Sequence, residues 1–322
     1  MNAGNAKAQA EALAARRAAA RAQRDFAAAD ALRQQISELG FVVVDSADGW
    51  SLQPLEDGPS STIAAQTQAA DAADDGSPIG AEARVLAVVM VNGWPQDANR
   101  CVEALLAHEH DVHVLVVAVG DRDGIHAWAR SVADSDPQRC SAICLSETGD
   151  HWGAVHRAVI QRCAATYVAV LDSSTVVTGP ALTQCCDAIE RDHAAAVGWR
   201  GADVDRADNW RSVVAVEGQA DVLLSYLLVV PADIAKAVPP SAKARFYRNA
   251  DLEWSLMIRR WWHDQHGEPA RLLALGASLP ASQGRHHGYH DTDPEYRDRE
   301  SRATYNRILS AFRGRDEILR PQ

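Results

Sequence analysis

The chain has no apolar run approaching the ~20 residues that a bilayer-spanning helix needs, so a membrane span is not expected. Positive charge is in deficit: 32 Lys and Arg stand against 43 Asp and Glu, a formal charge of −11. That balance opposes nonspecific binding to nucleic acid or to anionic membranes. The six cysteines, Cys101, Cys140, Cys144, Cys163, Cys185 and Cys186, form neither a disulfide framework nor a zinc-ligand pattern. They read as small core residues in a reducing compartment, and a cytoplasmic location is expected. No internal repeat is evident.

What is present is an alternation of strand and helix. Residues 85–91 and 113–119 are apolar runs that end in loop residues, Asn92-Gly93-Trp94-Pro95 and Gly120-Asp121-Arg122-Asp123-Gly124. Between them, 97–108 has helical spacing with Val102, Leu105 and Leu106 on one face. A third strand is expected at 141–145, then Gly149, Gly153 and a helix with Val155, Val159 and Ile160 on its apolar face. The next strand is Tyr167-Val168-Ala169-Val170-Leu171, which runs into Asp172-Ser173-Ser174. Such an order implies an α/β fold with a mostly parallel sheet and helices on both faces. Ligands of open α/β sheets bind outside the carboxyl ends of the strands, where Asp172 would stand. The plainer reading of Asp172 is a turn cap.

These residues resemble the family 2 glycosyltransferases of the GT-A fold, a Rossmann-like architecture, over about 85–313. The resemblance implies transfer of a sugar from a nucleotide-diphosphate sugar to an acceptor hydroxyl, with inversion and metal assistance. In that family the strand corresponding to 167–171 ends in D-x-D, which binds a divalent metal and the donor diphosphate. Asp172 matches the first acid, and Ser174 replaces the second. The resemblance therefore makes Asp172 and Ser174 donor-binding residues and Asp172 a ligand of Mn²⁺ or Mg²⁺, hard cations that favour oxygen donors.

Residues 248–260, RNADLEWSLMIRR, are similar to the family's E-D-x-D/E-L-S-L-R-L-R-R helix start. Asp251 falls on the acid that acts as base in inverting members, with Glu253 the next acid. Ala250 and Met257 depart from the pattern. An acid in the first turn of a helix is favoured in its ionised form, which a general base requires; capping is the plainer alternative. Arg285-His286-His287-Gly288-Tyr289-His290 follows a strand expected at 272–279. Family members place a histidine there on the metal or diphosphate, so His286 and His287 are metal candidates, against a plain polar loop. Asp121 matches, in part, an acid that contacts the nucleobase. Trp199, Trp254, Trp261 and Trp262 fill cores more often than they stack on sugars. Residues 294–315 read as an amphipathic helix with a salt-bridged outer face.

The amino-terminal segment is a different object. Residues 8–39 have one long helical pattern or two helices, stopped by Gly40, and 41–44 read as a short strand before a turn at 46–49. The pattern Ala20-Arg21, Arg24-Asp25-Phe26, Ala29-Asp30, Leu32-Arg33 and Leu39-Gly40 resembles the carboxy-terminal tail of cysteinyl-tRNA synthetases, although the HIGH and KMSKS sequences are absent. The arginines could touch RNA phosphates, but Asp25, Asp30, Glu38, Asp45 and Asp48 nearly cancel them, and a protein-docking role fits equally. Residues 54–83 carry several acids and almost no large apolar side chain, and are expected to be a disordered tether. The expected domains are thus 1–53, a helical module with a short strand, the tether 54–83, and 84–322, an α/β domain. Three functions stand open: a glycosyltransferase with a nucleotide-sugar donor and an unidentified acceptor, a GT-A domain that binds without chemistry, and an RNA-associated protein.

Overall fold

The computed structural model describes residues 3–22, 32, 35–36, 41–46, 49–54, 77–145, 151–285 and 290–321. The chain divides into two compact units, Met1–Ser61 and Thr62–Gln322.

In the small unit, helix α1 (Ala3–Ala22) starts earlier than its sequence pattern suggested. It is accompanied by an antiparallel hairpin, β1 (Phe41–Ser46) and β2 (Gly49–Pro54), closed by the Ser46–Gly49 pair. Ala10, Leu13, Ala14, Leu32, Ile36 and Val43 form its core. Strand β2 was not anticipated, although Trp50 and Leu52 alternate with small or polar neighbours as one face of a strand should.

The large unit is built on a nine-stranded sheet. Its parallel half consists of β3 (Val85–Val91), β4 (Val112–Val119), β5 (Cys140–Leu145) and β6 (Tyr167–Leu171), in the spatial order β5, β4, β3, β6. The sheet continues through β11 (Val222–Pro231), which lies antiparallel to β6 and to β8 (Ala196–Val204). Strands β9 (Val213–Val216), β10 (Gly218–Gln219) and β12 (Leu272–Ala274) complete that side. A separate antiparallel pair joins β7 (Thr175–Val177) to β13 (Ala281–Gln283).

Strand alternation feeds two cores. Leu86, Val88, Val168 and Val170 face one layer, formed by α4 (Trp152–Arg162), α6 (Ala232–Ala237) and α7 (Ala250–His266). Val85, Ala87, Val89, Ala169 and Leu171 face the other, formed by α2 (Pro95–His108), α3 (Ile125–Ser135) and α5 (Ala181–Asp192). Strands buried on both faces must be apolar at every position, which is why they read as unbroken runs. Helix α8 (Pro294–Phe312) starts at Asp293, whose carboxylate accepts from Tyr296 N at 2.8 Å. It buries Ser301, Thr304, Ile308 and Phe312, and its apolar residues join Trp210 and Leu256 in a third cluster.

Two expectations change. Residues 77–83 of the expected tether lie against the large unit: Ile79 N donates to Arg162 O at 2.9 Å, Ala164 N donates to Ile79 O at 2.8 Å, and Ile79 is buried. Residues 55–76 lie outside the described residues. The strand expected at 272–279 ends at Ala274, because Gly276, at φ +56°, turns the chain into a 3₁₀ helix over Gly276–Ser278.

Candidate functional site

The chain runs outward from β3 to β4 and β5, then returns through α4 to β6 on the other side of β3. The order therefore reverses beside β3, and the loops after β3 and β6 diverge there to leave a crevice. A cavity of about 90 Å³ occupies this place. Met90, Asn92, Gly93 and Trp94 reach it from β3, and Leu171, Asp172 and Ser173 from β6. Trp152, at the start of α4, together with Ser225, Phe246, Tyr247 and Thr292, closes it.

Backbone geometry holds the two sides. Trp94 sits at φ 52° and ψ 60°, a left-handed conformation that costs a bulky side chain strain. The Arg122 guanidinium lies 4.4 Å from its ring centroid, so the turn after β4 is tied to the loop after β3. At α4, Gly153 is required: its N donates to Ala244 O at 2.8 Å, and a Cβ there would stand 1.9 Å from Ser241 O. That close approach brings Trp152 beside the segment carrying Phe246 and Tyr247.

Asp172 lies at the end of β6, where the sequence placed it. Its Oδ1 accepts from Ser174 N at 2.8 Å and from Ser174 Oγ at 2.6 Å. Ser174 is buried, and its hydroxyl is spent on orienting Asp172, with Gln283 Nε2 donating to it at 3.4 Å. Asp251 is also buried. Its Oδ2 accepts from Ser225 N at 2.9 Å and Ser225 Oγ at 3.2 Å, and its Oδ1 from Leu252 N at 2.9 Å. Burial pushes its carboxyl above the ordinary range, although these hydrogen bonds pull the other way. Asp251 thus stands behind Ser225, which lines the cavity.

Glu253 points into a different contact. Both its oxygens are taken by Arg307 of α8, at 2.9 Å from Nε and 2.8 Å from Nη2. Asp121 is exposed and accepts from His126 N at 3.1 Å, opening α3. Trp199 and Trp254 are buried in the cores, and Trp261 and Trp262 pack on one of them, as their plainer reading had it. His286 and His287 lie outside the described residues. Their described neighbours approach the site from both sides: Gly284 N donates to Ser174 O at 2.9 Å, and Thr292 lines the cavity.

A divalent cation would need oxygen or imidazole donors at this cavity. Among the described residues no group of three or more His, Cys, Asp or Glu side chains could hold a metal ion. Asp172 is the carboxylate at the cavity, with one oxygen already engaged by Ser174. The other two candidate ligands, His286 and His287, lie outside the described residues, and Mg²⁺ is commonly held by one or two carboxylates together with substrate phosphates and water, so Asp172 fits a cation shared with a diphosphate.

Ser225, Trp94, Trp152, Phe246 and Tyr247 were not singled out as site residues from the sequence. Ser225 had a signal: it is a polar residue inside the run Val222-Leu223-Leu224-Ser225-Tyr226-Leu227-Leu228.

Comparison with known proteins places these observations. Residues 86–229 match the family model described as Glycosyl transferase family 2. Residues 4–50 match the model described as Cysteinyl-tRNA ligase anticodon binding domain. A search of curated proteins finds no match. Among solved structures, the chain is similar to the mannosyltransferase PcManGT from Pyrobaculum calidifontis in complex with GDP-Man and Mn²⁺. That match has 12% identity, a TM-score of 0.50, and covers 67% of this chain and 61% of that one. A second similar structure is S. aureus TarS 1-349, at 10% identity and TM-score 0.47, covering 71% of this chain and 72% of that one. The large unit has the GT-A fold, a mixed α/β domain with a mainly parallel central sheet and flanking helices. No helix among the described residues is long and apolar enough to cross a membrane.

Proposed function

We propose that the large unit transfers a sugar from a nucleotide-diphosphate sugar to an acceptor hydroxyl with inversion. The observation that carries this reading is the pairing of Asp172, at the end of β6, with the buried Asp251 behind Ser225, at one cavity on the reversal of strand order. Asp172, oriented by Ser174, would hold a divalent cation that meets the donor diphosphate, since a carboxylate and a diphosphate alone repel. Asp251 takes the proton of the acceptor hydroxyl as that oxygen attacks the anomeric carbon. A carboxyl raised by burial is a stronger base once ionised than an ordinary one, which suits it to this task. Asp121, on the exposed turn tied to Trp94 through Arg122, is the residue that the family resemblance assigns to the nucleobase.

A divalent cation, Mn²⁺ or Mg²⁺, enters as a variable of the binding test, and no step is routed through it. The donor set, with Ser174 in place of a second acid, favours one other reading, a domain that binds a nucleotide sugar without turnover. Contact of the amino-terminal unit with RNA is implied by its resemblance alone, and a protein-docking role rests on its near-cancelled charge.

The test is Asp251→Asn, assayed by release of free sugar from GDP- and UDP-sugars and by donor titration. Transfer by the proposed route requires a fall in turnover of roughly 10²–10⁴-fold, the usual share of a general base, with donor affinity kept. Turnover unchanged by the substitution would refute the base assignment. Donor affinity without turnover in the parent would favour the binding domain.

A further inference from the structure

Strand β11 is irregular beside the cavity. Leu224 pairs with Arg200 and Leu228 with Gly198, so β11 advances four residues while β8 advances two. Ser225, Tyr226 and Leu227 thus stand opposite Trp199 alone, two residues more than a regular ladder, a bulge of the kind that re-aims side chains next to sites. Gly198 makes room for it, since a Cβ there would lie 2.9 Å from Leu227 O.

The bulge touches the backbone of Asp172 and the carboxylate of Asp251. Tyr226 O accepts from Asp172 N at 3.2 Å and from Thr175 Oγ1 at 2.7 Å. Ser225 gives its N–H and its O–H to the same oxygen of Asp251. Ser225 lines the cavity, and Asp251 is screened behind it. A hydroxyl can accept one proton and donate another, which a backbone N–H cannot.

We propose that the Ser225 hydroxyl is the proton relay between the acceptor and Asp251. This rests on the reading of Asp251 as general base. As the acceptor oxygen attacks the sugar, its proton passes to Ser225 Oγ. The Ser225 proton passes at the same time to Asp251 Oδ2, and the nucleoside diphosphate leaves with the electron pair of the broken glycosidic bond. Ser225 ends as it began, and Asp251 ends protonated. Buried Asp251 thereby works without meeting the substrate, and bulk water is kept from it.

The experiment uses the full chain, with water as the acceptor and GDP-mannose or UDP-sugars as donors. Ser225→Ala is expected to lose on the order of 10²-fold in kcat, at the lower end of the share of a general base, with donor KM within about threefold. Ser225→Thr keeps a hydroxyl and recovers kcat to within about tenfold of the parent. Because the Ser225 hydroxyl favours ionised Asp251, its removal also moves the rising limb of the pH–rate profile to higher pH. If Ser225→Ala keeps the parent kcat while Asp251→Asn loses it, the relay is wrong and the base stands. Loss in Ser225→Ala without rescue by Ser225→Thr also overturns the relay. If Asp251→Asn keeps its turnover, or the parent releases no sugar, the function reading fails and the relay with it.

Discussion

Glu253→Gln separates a structural acid from a reacting one. Glu253 and Asp251 lie two residues apart on α7, and residues at that spacing do not share a helix face. Asp251 turns to Ser225 and the cavity; Glu253 turns to α8 and receives both Nε and Nη2 of Arg307. The side chain of Glu253 is 8% exposed and that of Arg307 26%. Breaking a fully buried pair costs about 3–5 kcal/mol, and an exposed one about 0–1. Arg307 keeps some water and donates to Thr304 Oγ1 at 3.1 Å, so a loss of about 2–3 kcal/mol is expected. For a domain of this size that is a fall of roughly 5–10 °C in the melting midpoint. Differential scanning calorimetry gives the midpoint, and sugar release at a temperature where the variant stays folded gives turnover. An unchanged midpoint together with a hundredfold loss of turnover would refute this assignment and move the base from Asp251 to Glu253.

Other outcomes follow from the same contacts. Arg259 is fully buried and donates to the carbonyls of Asp221 at 2.6 Å, Ala220 at 2.5 Å and Ile318 at 2.9 Å. Arg259→Met strands those carbonyls and buried Asp221, and urea unfolding should show a loss of about 3–5 kcal/mol. A chain starting at residue 77 should unfold cooperatively and bind donor, whereas one starting at residue 84 loses the Ile79 contacts; its unfolding free energy in the same urea titration should fall by about 2–4 kcal/mol. Burial raises the Asp251 carboxyl, so the folded state holds that proton more tightly than the unfolded chain. The stability this contributes is present below the ordinary Asp value of ~3.9 and is lost as pH rises through the raised one. The stability of the parent relative to Asp251→Asn should therefore fall with pH over that window, while turnover rises.

The parallel half of the sheet was legible because a strand covered on both faces has no polar position to obscure it. Strands β3 to β6 fall within a residue of their expected limits. Asp172 was legible for the same reason: it is the first polar residue after such a run. The bulge of β11 was not, since it depends on pairing with two partners and on Gly198 across the sheet. The Arg307 partner of Glu253 lies 54 positions away, so the sequence could place the acid on a helix without showing which face meets another helix. Ser174 departs from the expected motif, and only the structure shows its hydroxyl bonded to Asp172.

Isothermal titration of GDP-mannose and UDP-sugars into the parent and into Asp172→Ala, with and without Mn²⁺, puts the nucleotide-sugar reading to trial. Saturable binding by the parent, lost in a variant that still unfolds cooperatively, is the predicted result. Equal affinity in both proteins, or heat from neither donor class under any condition, would contradict it.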